Sequence, residues 1–340
     1  MSISIVWIEL NGPFEISLGA NPVPIISKFY ISKGRYFQTK ATPEEMEKSL
    51  DYFQQAIEKD PTYALAYAGK ADCYNILADF GYLSSKEGYP KIRAATEKAL
   101  KMDNTLAGAH ASLGYVKFKN DWDWAGAERD FKRAIELDPN YALAHINYSL
   151  YLSEMGRHDE AIKKAKRGLE SDPLSPDNNN VLGWILYLAR RYDHAIEILQ
   201  NLLEIDQDYW IAHSNLALAY AGKGIYNEAI VEVQKAIELS GRNTMVIAML
   251  GYIYALAERK DEARKVLDDL LELSKKEHVS SFYVATVYTC LGQKDQAFEW
   301  LGKAYEEHDV YLSQLKVFPF LDSLRSDSRY KALLKKMNLE

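Results

Sequence analysis

Apolar residues of two sizes recur along the chain at one fixed interval. Ala127, Ala161, Ala195, Ala229, Ala263 and Ala297 follow one another 34 residues apart. A second small column stands 12 residues earlier: Ser149, Gly183, Ala217, Gly251 and Ala285. A third column is large throughout: Leu152, Leu186, Tyr220, Tyr254 and Tyr288. A period of this length marks a supersecondary unit repeated in space. Two antiparallel helices per unit satisfy the pattern. A small residue on each helix lets the backbones approach, and the large ones fill the spaces beside that contact as ridges in grooves. One such pair cannot bury its apolar face alone, so neighbouring units must stack into a continuous core.

The joints carry their own pattern. Asp60-Pro61, Asp138-Pro139 and Asp172-Pro173 close three units, and Asp103-Asn104, Asp206-Gln207 and Ser240-Gly241 stand in the same place in others. Pro cannot continue a helix and suits a helix start or turn. Within the units, His158-Asp159-Glu160 invites reading as a metal or acid–base cluster. Its counterparts are Tyr192-Asp193-His194, Tyr226-Asn227-Glu228, Lys260-Asp261-Glu262 and Lys294-Asp295-Gln296. Only the middle Asp or Asn persists. The triplet therefore predicts the start of each unit's second helix, where that side chain accepts from free N–H groups and an acid suits the helix dipole.

These columns resemble the tetratricopeptide-repeat (TPR) family. The match lies in the 34-residue period, a small residue at position eight, Ala at twenty, a small or apolar residue at twenty-seven and Pro at thirty-two. Ala142–Ser175 shows them as Ser149, Ala161, Gly168 and Pro173. The resemblance implies an all-α, right-handed solenoid of about eight helix-turn-helix repeats, with a C-terminal capping helix. The solenoid covers residues 28–311, from a first unit Lys28–Tyr63 to an eighth His278–Tyr311. An insertion near residues 77–90 lengthens the second unit, and one extra residue near Trp122-Asp123-Trp124 lengthens the third. Residues 1–27 form an extension containing the strand-like SISIVWIEL, and residues 312–340 a linker and the capping helix. More narrowly, ISKGRYF (Ile31–Phe37), Asn120–His145, Lys294–Asp309 and Phe320–Met337 look like the TPR halves of bacterial signalling proteins. Those halves follow winged-helix, adenylate cyclase or kinase domains. No such effector is legible ahead of residue 28, so the resemblance implies a sensory or docking half.

Charge and composition narrow the partners. The net charge is −7 and no run of five or six like charges occurs, which argues against a general nucleic-acid binder. No run of about 18 apolar residues predicts a membrane span, and the N-terminus lacks a basic n-region, so a cytoplasmic protein is expected. Cys73 and Cys290 stand far apart, with neither disulfide nor zinc spacing. No cofactor or metal motif, nucleophile elbow or phosphate loop is found, so no enzyme is expected. His110, His145, Asn179 and His213 share one column on the first helices. They are either a polar ligand site or packing residues satisfied by neighbouring carbonyls. Lys163, Lys164, Lys166 and Arg167 read as a solvated outer face.

Function is then sought on the concave face. In TPR superhelices the first helix of each repeat lines it. Reading those positions gives a candidate peptide-binding groove of Tyr115, Phe118, Lys119, Asn147, Leu150, Asn180, Trp184, Tyr187, Asn215, Leu218, Met249 and Tyr252. Ile146, Ser214, Phe282 and Tyr283 fall beside them. Asn amides both donate to and accept from a peptide backbone, and Trp and Tyr supply anchors. Lys119 is the one basic residue among these positions, so the carboxylate clamp of chaperone-binding TPRs is not expected. The expected function is a scaffold that takes a partner's protein or peptide segment in the groove. The alternative is a regulatory half acting on a separate effector.

Overall fold

The computed structural model describes residues 25–38, 42–79, 82–170 and 173–340. The strand expected in SISIVWIEL and the joint residue Asp172 lie outside them. The described residues are helical throughout, with no strand. Eight hairpins succeed one another. They are α1 (Ile25–Gln38) with α2 (Pro43–Lys59), α3 (Ala64–Asp79) with α4 (Ser85–Met102), α5 (Ala107–Val116) with α6 (Trp124–Leu137), and α7 (Ala142–Glu154) with α8 (His158–Leu169). Then come α9 (Pro176–Leu188) with α10 (Tyr192–Ile205), α11 (Trp210–Gly222) with α12 (Tyr226–Leu239), α13 (Thr244–Leu256) with α14 (Lys260–Leu273), and α15 (Ser281–Cys290) with α16 (Lys294–Glu307). A last helix, α17 (Ser328–Lys336), follows two 3₁₀ segments, Val310–Gln314 and Pro319–Leu324. This is an all-α solenoid of TPR hairpins.

The repeating columns are the contact between the two helices of each pair. All six column alanines, from Ala127 to Ala297, are fully buried, as are Ser149, Ala217 and Ala285. At Gly183 a Cβ would stand 2.7 Å from Leu199 Cγ on α10, so the approach of α9 to α10 requires glycine. The joints are Asx turns. Asp60, Asp103, Asp138 and Asp206 each accept from the backbone N–H two residues on, at 2.9 to 3.2 Å.

The His column is part of the same joint. A ring nitrogen of His110, His145 and His213, and the amide of Asn179, each meets the carbonyl six residues back. The four distances are 3.1, 2.9, 3.0 and 2.9 Å. The shared column thus ties α5, α7, α9 and α11 to their preceding turns.

The helix-start expectation needs correction. The cap positions of α8, α10, α14 and α16 are Arg157, Arg191, Arg259 and Gln293, and none makes a side-chain cap hydrogen bond. The Asp of each triplet sits one residue inside the helix. From there it suits the dipole; Asp261 pairs with Arg264 of its own helix at 3.1 Å, and the other three reach the next unit. Asp159 meets Arg191 at 2.5 Å, Asp193 pairs with Lys223, and Asp295 meets Arg329 of α17 at 2.8 Å. An inter-repeat ion ladder therefore runs along the turn edge.

The extra residue of the third unit is absorbed as a five-residue π turn, Lys117–Asp121, directly after α5. It ends at Trp122, whose φ of 52° is unusual for a bulky residue. The ring of Trp122 stacks on His308 (4.7 Å, 11°) and Tyr305 (5.1 Å, 29°), and Asn120 O meets His308 Nδ1 at 3.0 Å. Trp124 Nε1 donates to Met337 O at 2.6 Å. The third and eighth units are thereby clasped together, and the end of α17 is tied to the third.

Candidate functional site

The first helices of the hairpins (α3, α5, α7, α9, α11, α13, α15) present one face inward, and a non-repeating segment of the same chain lies against it. Residues 309–324 leave α16 and run across this concave face. Asp309 sets their direction. Its buried carboxylate accepts from Phe282 N (3.1 Å) and Ser280 Oγ (2.7 Å) at the start of α15, and from Tyr311 N (3.1 Å) at the start of the arm. Burial raises the Asp309 pKa against those three donors.

Three contacts hold the arm along its length. Tyr311 donates its hydroxyl to Asp79 O at the end of α3. Ser313 Oγ lies 3.2 Å from Lys119 Nζ. Phe318, fully buried, stands 5.5 to 6.5 Å from the rings of Phe282, Trp184, Tyr187 and Tyr252. Phe320 adds contacts to Tyr187 (6.2 Å) and Tyr252 (5.0 Å). Arg190 and Asp322 pair at the surface, 2.7 Å apart.

The expected groove residues divide accordingly. Tyr115, Lys119, Leu150, Trp184, Asn215 and Met249 converge on one small cavity of about 170 Å³, to which the arm contributes Val310, Tyr311 and Gln314. Asn147 and Tyr115 line a wider opening of about 460 Å³, with Arg35, Asp72, Asn75 and Asp177. Asn180 lines a third of about 230 Å³ beside Ile211 and Tyr209. Asn215 Nδ2 donates to Asn180 Oδ1 at 2.9 Å. The remaining four are not open to this lumen. Tyr187 and Tyr252 are covered by Phe318 and Phe320, Phe118 is buried among Tyr115, Trp124 and Tyr151, and Leu218 is buried in the core.

The electrostatics of the lumen are acidic. Asp72, Asp79, Glu154 and Asp177 face it against Arg35 and Lys119. Arg35 meets Asp72 at 2.7 Å and Lys119 meets Glu154 at 2.7 Å. Asp79 accepts from Tyr115 OH at 2.6 Å, yet burial dominates and pushes its carboxyl up to about 6. The same burial holds the Tyr283 and Tyr311 hydroxyls well above their ordinary range.

Arg35, Asp72 and Asp177 were not anticipated, nor were Glu154, Asp79, Tyr311 and Gln314. Glu154 sits at position thirteen of the fourth unit, a groove position, so the solenoid rule could have found it. Asp79 ends α3 at the insertion near residues 77–90, outside the repeat register. Tyr311 and Gln314 belong to no repeat.

Comparison with known proteins fits this architecture. Two family models described as tetratricopeptide repeat match, over residues 131–163 and 152–218. The human protein O-mannosyl-transferase TMTC3 is 24% identical over 73% of this chain and 27% of its own length. The transcriptional regulator HilA of Salmonella typhimurium is 21% identical over 86% of this chain and 52% of its own length. The chain thus spans between about a quarter and about half of these relatives. A solved structure of the human IFIT1 dimer with m7Gppp-AAAA superposes with a TM-score of 0.63 at 15% identity, covering 82% of this chain and 72% of that one. At that identity the likeness is one of fold. No helix among the described residues is long and apolar enough to cross a membrane. The 34-residue columns, the hairpins they build and the two family matches over residues 131–218 agree on a tetratricopeptide-repeat solenoid, a fold that suggests a scaffold for protein–protein interaction.

Proposed function

We propose that this protein is a non-catalytic adaptor whose concave face receives an extended segment of a partner. The observation that carries the reading is that the face already holds a non-repeating segment, the chain's own residues 309–324, folded as two short 3₁₀ turns. A surface that seats Tyr311, Phe318 and Phe320 on the first helices has the shape and the aromatic anchors for a peptide. The partner's place is the part the arm leaves open, beside Asn75, Asn147, Asp177 and Asn180. Asp72, Asp79 and Asp177 there disfavour a phosphate backbone, so the nucleotide in the IFIT1 structure finds no counterpart in this reading. Burial pushes the Cys73 and Cys290 thiols up to about 11 and about 12, which leaves neither as a nucleophilic thiolate near neutral pH.

A second reading is favoured by the match to HilA over most of this chain. The solenoid would then be the regulatory half of a bacterial signalling or transcription system, docking on a separate effector in the cytoplasm. Both readings share one test. Peptides selected from a display library against the full chain should bind with an affinity that falls at least tenfold in Asn147→Ala and in Asp177→Asn. If both variants keep the circular dichroism and the affinity of the parent, the groove is the wrong surface. Selected sequences that match cyclases, kinases or transcription factors would favour the second reading.

A further inference from the structure

The small cavity between the arm and the first helices is short of one positive charge. Asp79 and Glu154 line it, against the single ammonium of Lys119. Lys119 is already committed: its Nζ lies 2.7 Å from Glu154 Oε1, 3.2 Å from Ser313 Oγ and 4.5 Å from the centroid of the Phe118 ring. Glu154 Oε2, on a side chain 1% exposed, has no hydrogen-bond partner. Gln314 Oε1, on a residue 5% exposed, has none either. A buried carboxylate oxygen left without a donor costs free energy that a fold does not ordinarily leave uncompensated.

We propose that this cavity binds a protonated nitrogen, a primary ammonium or a guanidinium, between Glu154, Asp79 and Gln314. The acceptors supply the hydrogen bonds, and Trp184, Tyr283 and Tyr311 supply aromatic faces of the kind that attract cations. An anion is excluded by the two carboxylates. A bare metal ion is disfavoured because, among the described residues, no three of His, Cys, Asp or Glu converge to hold one, and because Lys119 stands in the site. The volume, about 170 Å³, admits a short alkyl stem behind the cation. Asp79 and Tyr115 also line the wider opening of about 460 Å³, which provides the way in.

This inference rests on the concave face being the binding surface, and it adds the chemistry of the ligand. The cation has two sources, a Lys or Arg side chain of the partner segment or a free organic amine. The test uses the full chain and the fluorescence of Trp184, read against a Trp184→Phe control. Pentylamine and butylguanidine should saturate the signal, and pentan-1-ol should not. Glu154→Gln should weaken the amines at least tenfold. Because that variant strands Lys119, Gln314→Glu provides an independent arm: an added carboxylate should tighten binding several-fold.

Library-selected peptides are then compared with copies in which each Lys or Arg is norleucine. A tenfold loss in the norleucine copies, abolished in Glu154→Gln, assigns the site to a partner's side chain. Saturation by free amines, with no such loss, assigns it to a small amine. If no amine saturates, and Lys and norleucine peptides bind alike, the cation site is overturned while the groove stands. If no peptide binds either, the groove reading falls with it.

Discussion

Replacing Phe318 by alanine should release the arm without unfolding the solenoid. The ring is fully buried against Trp184, Tyr187, Tyr252, Phe282 and Phe320, each with a centroid 5.5 to 6.5 Å away. Truncating a buried Phe to Ala costs about 3–5 kcal/mol. The pair and hydrogen bonds along the arm are weaker, while Phe320 and the buried Leu312, Leu315 and Leu321 add apolar contact. Arg190–Asp322 is a surface pair with both side chains more than 40% exposed, and such pairs contribute about 0–1 kcal/mol. Tyr311 and Ser313 each add one hydrogen bond, about 1 kcal/mol net apiece. Phe318 therefore makes the arm's largest set of ring contacts with the groove.

The hairpins do not depend on the arm for their own contacts, because the column alanines pack helix on helix. The loss should appear as local opening. At about 1.4 kcal/mol per decade, amides of residues 310–324 should exchange roughly a hundred- to four-thousand-fold faster. Those of α10 to α12 should be unchanged. Hydrogen exchange read by mass spectrometry makes the comparison within one sample. Equal acceleration in the arm and in α10 to α12 would show that the arm is part of one cooperative unit. Unchanged protection in the arm would show that the groove does not hold it.

Three further outcomes are expected. Gly183→Ala gains about 0.5–1 kcal/mol of helix propensity but drives a Cβ to 2.7 Å from Leu199, a contact costing about 1–3 kcal/mol; its urea midpoint should fall, and a rise would refute the close-approach account. Asp79 has a folded-state pKa raised to about 6 by burial, facing Tyr115, Lys119 and Glu154. The ionised form is therefore disfavoured in the fold. The penalty is absent below about pH 4 and full above about pH 6. Asp79→Asn should be more stable than the parent at neutral pH, with the gap closing as pH falls from 6 to 4; a gap that widens on acidification would reverse the assignment. Trp122→Ala removes the ring stacked on His308 and Tyr305, so trypsin should cut at Lys316 and Arg325 sooner than in the parent, while α9 to α12 stay intact.

What was legible in the chain was what repeats. A helix pair needs a small residue wherever its backbones touch, so Ser149, Gly183, Ala217, Gly251 and Ala285 announce the hairpins. The same regularity selects the concave face and brings Tyr115, Lys119, Leu150, Trp184, Asn215 and Met249 to one cavity. Two features escape a periodic reading. The one-residue insertion was visible as a spacing error, but only backbone geometry shows it absorbed as a π turn that carries Lys119 to Glu154 and Ser313. The arm has no counterpart in any repeat. It did leave a compositional trace, since Val310, Tyr311, Leu312, Leu315, Val317, Phe318 and Leu321 are more apolar than a solvated linker needs, and all are buried. A solenoid rule that takes the groove as open counts Tyr187 and Tyr252 as free anchors, although Phe318 and Phe320 cover them. The unpartnered Glu154 oxygen arises where these two irregularities meet: the π turn supplies a single ammonium, and the arm encloses it with two carboxylates. The most specific chemistry of this regular chain is thus assembled by the residues that break its period.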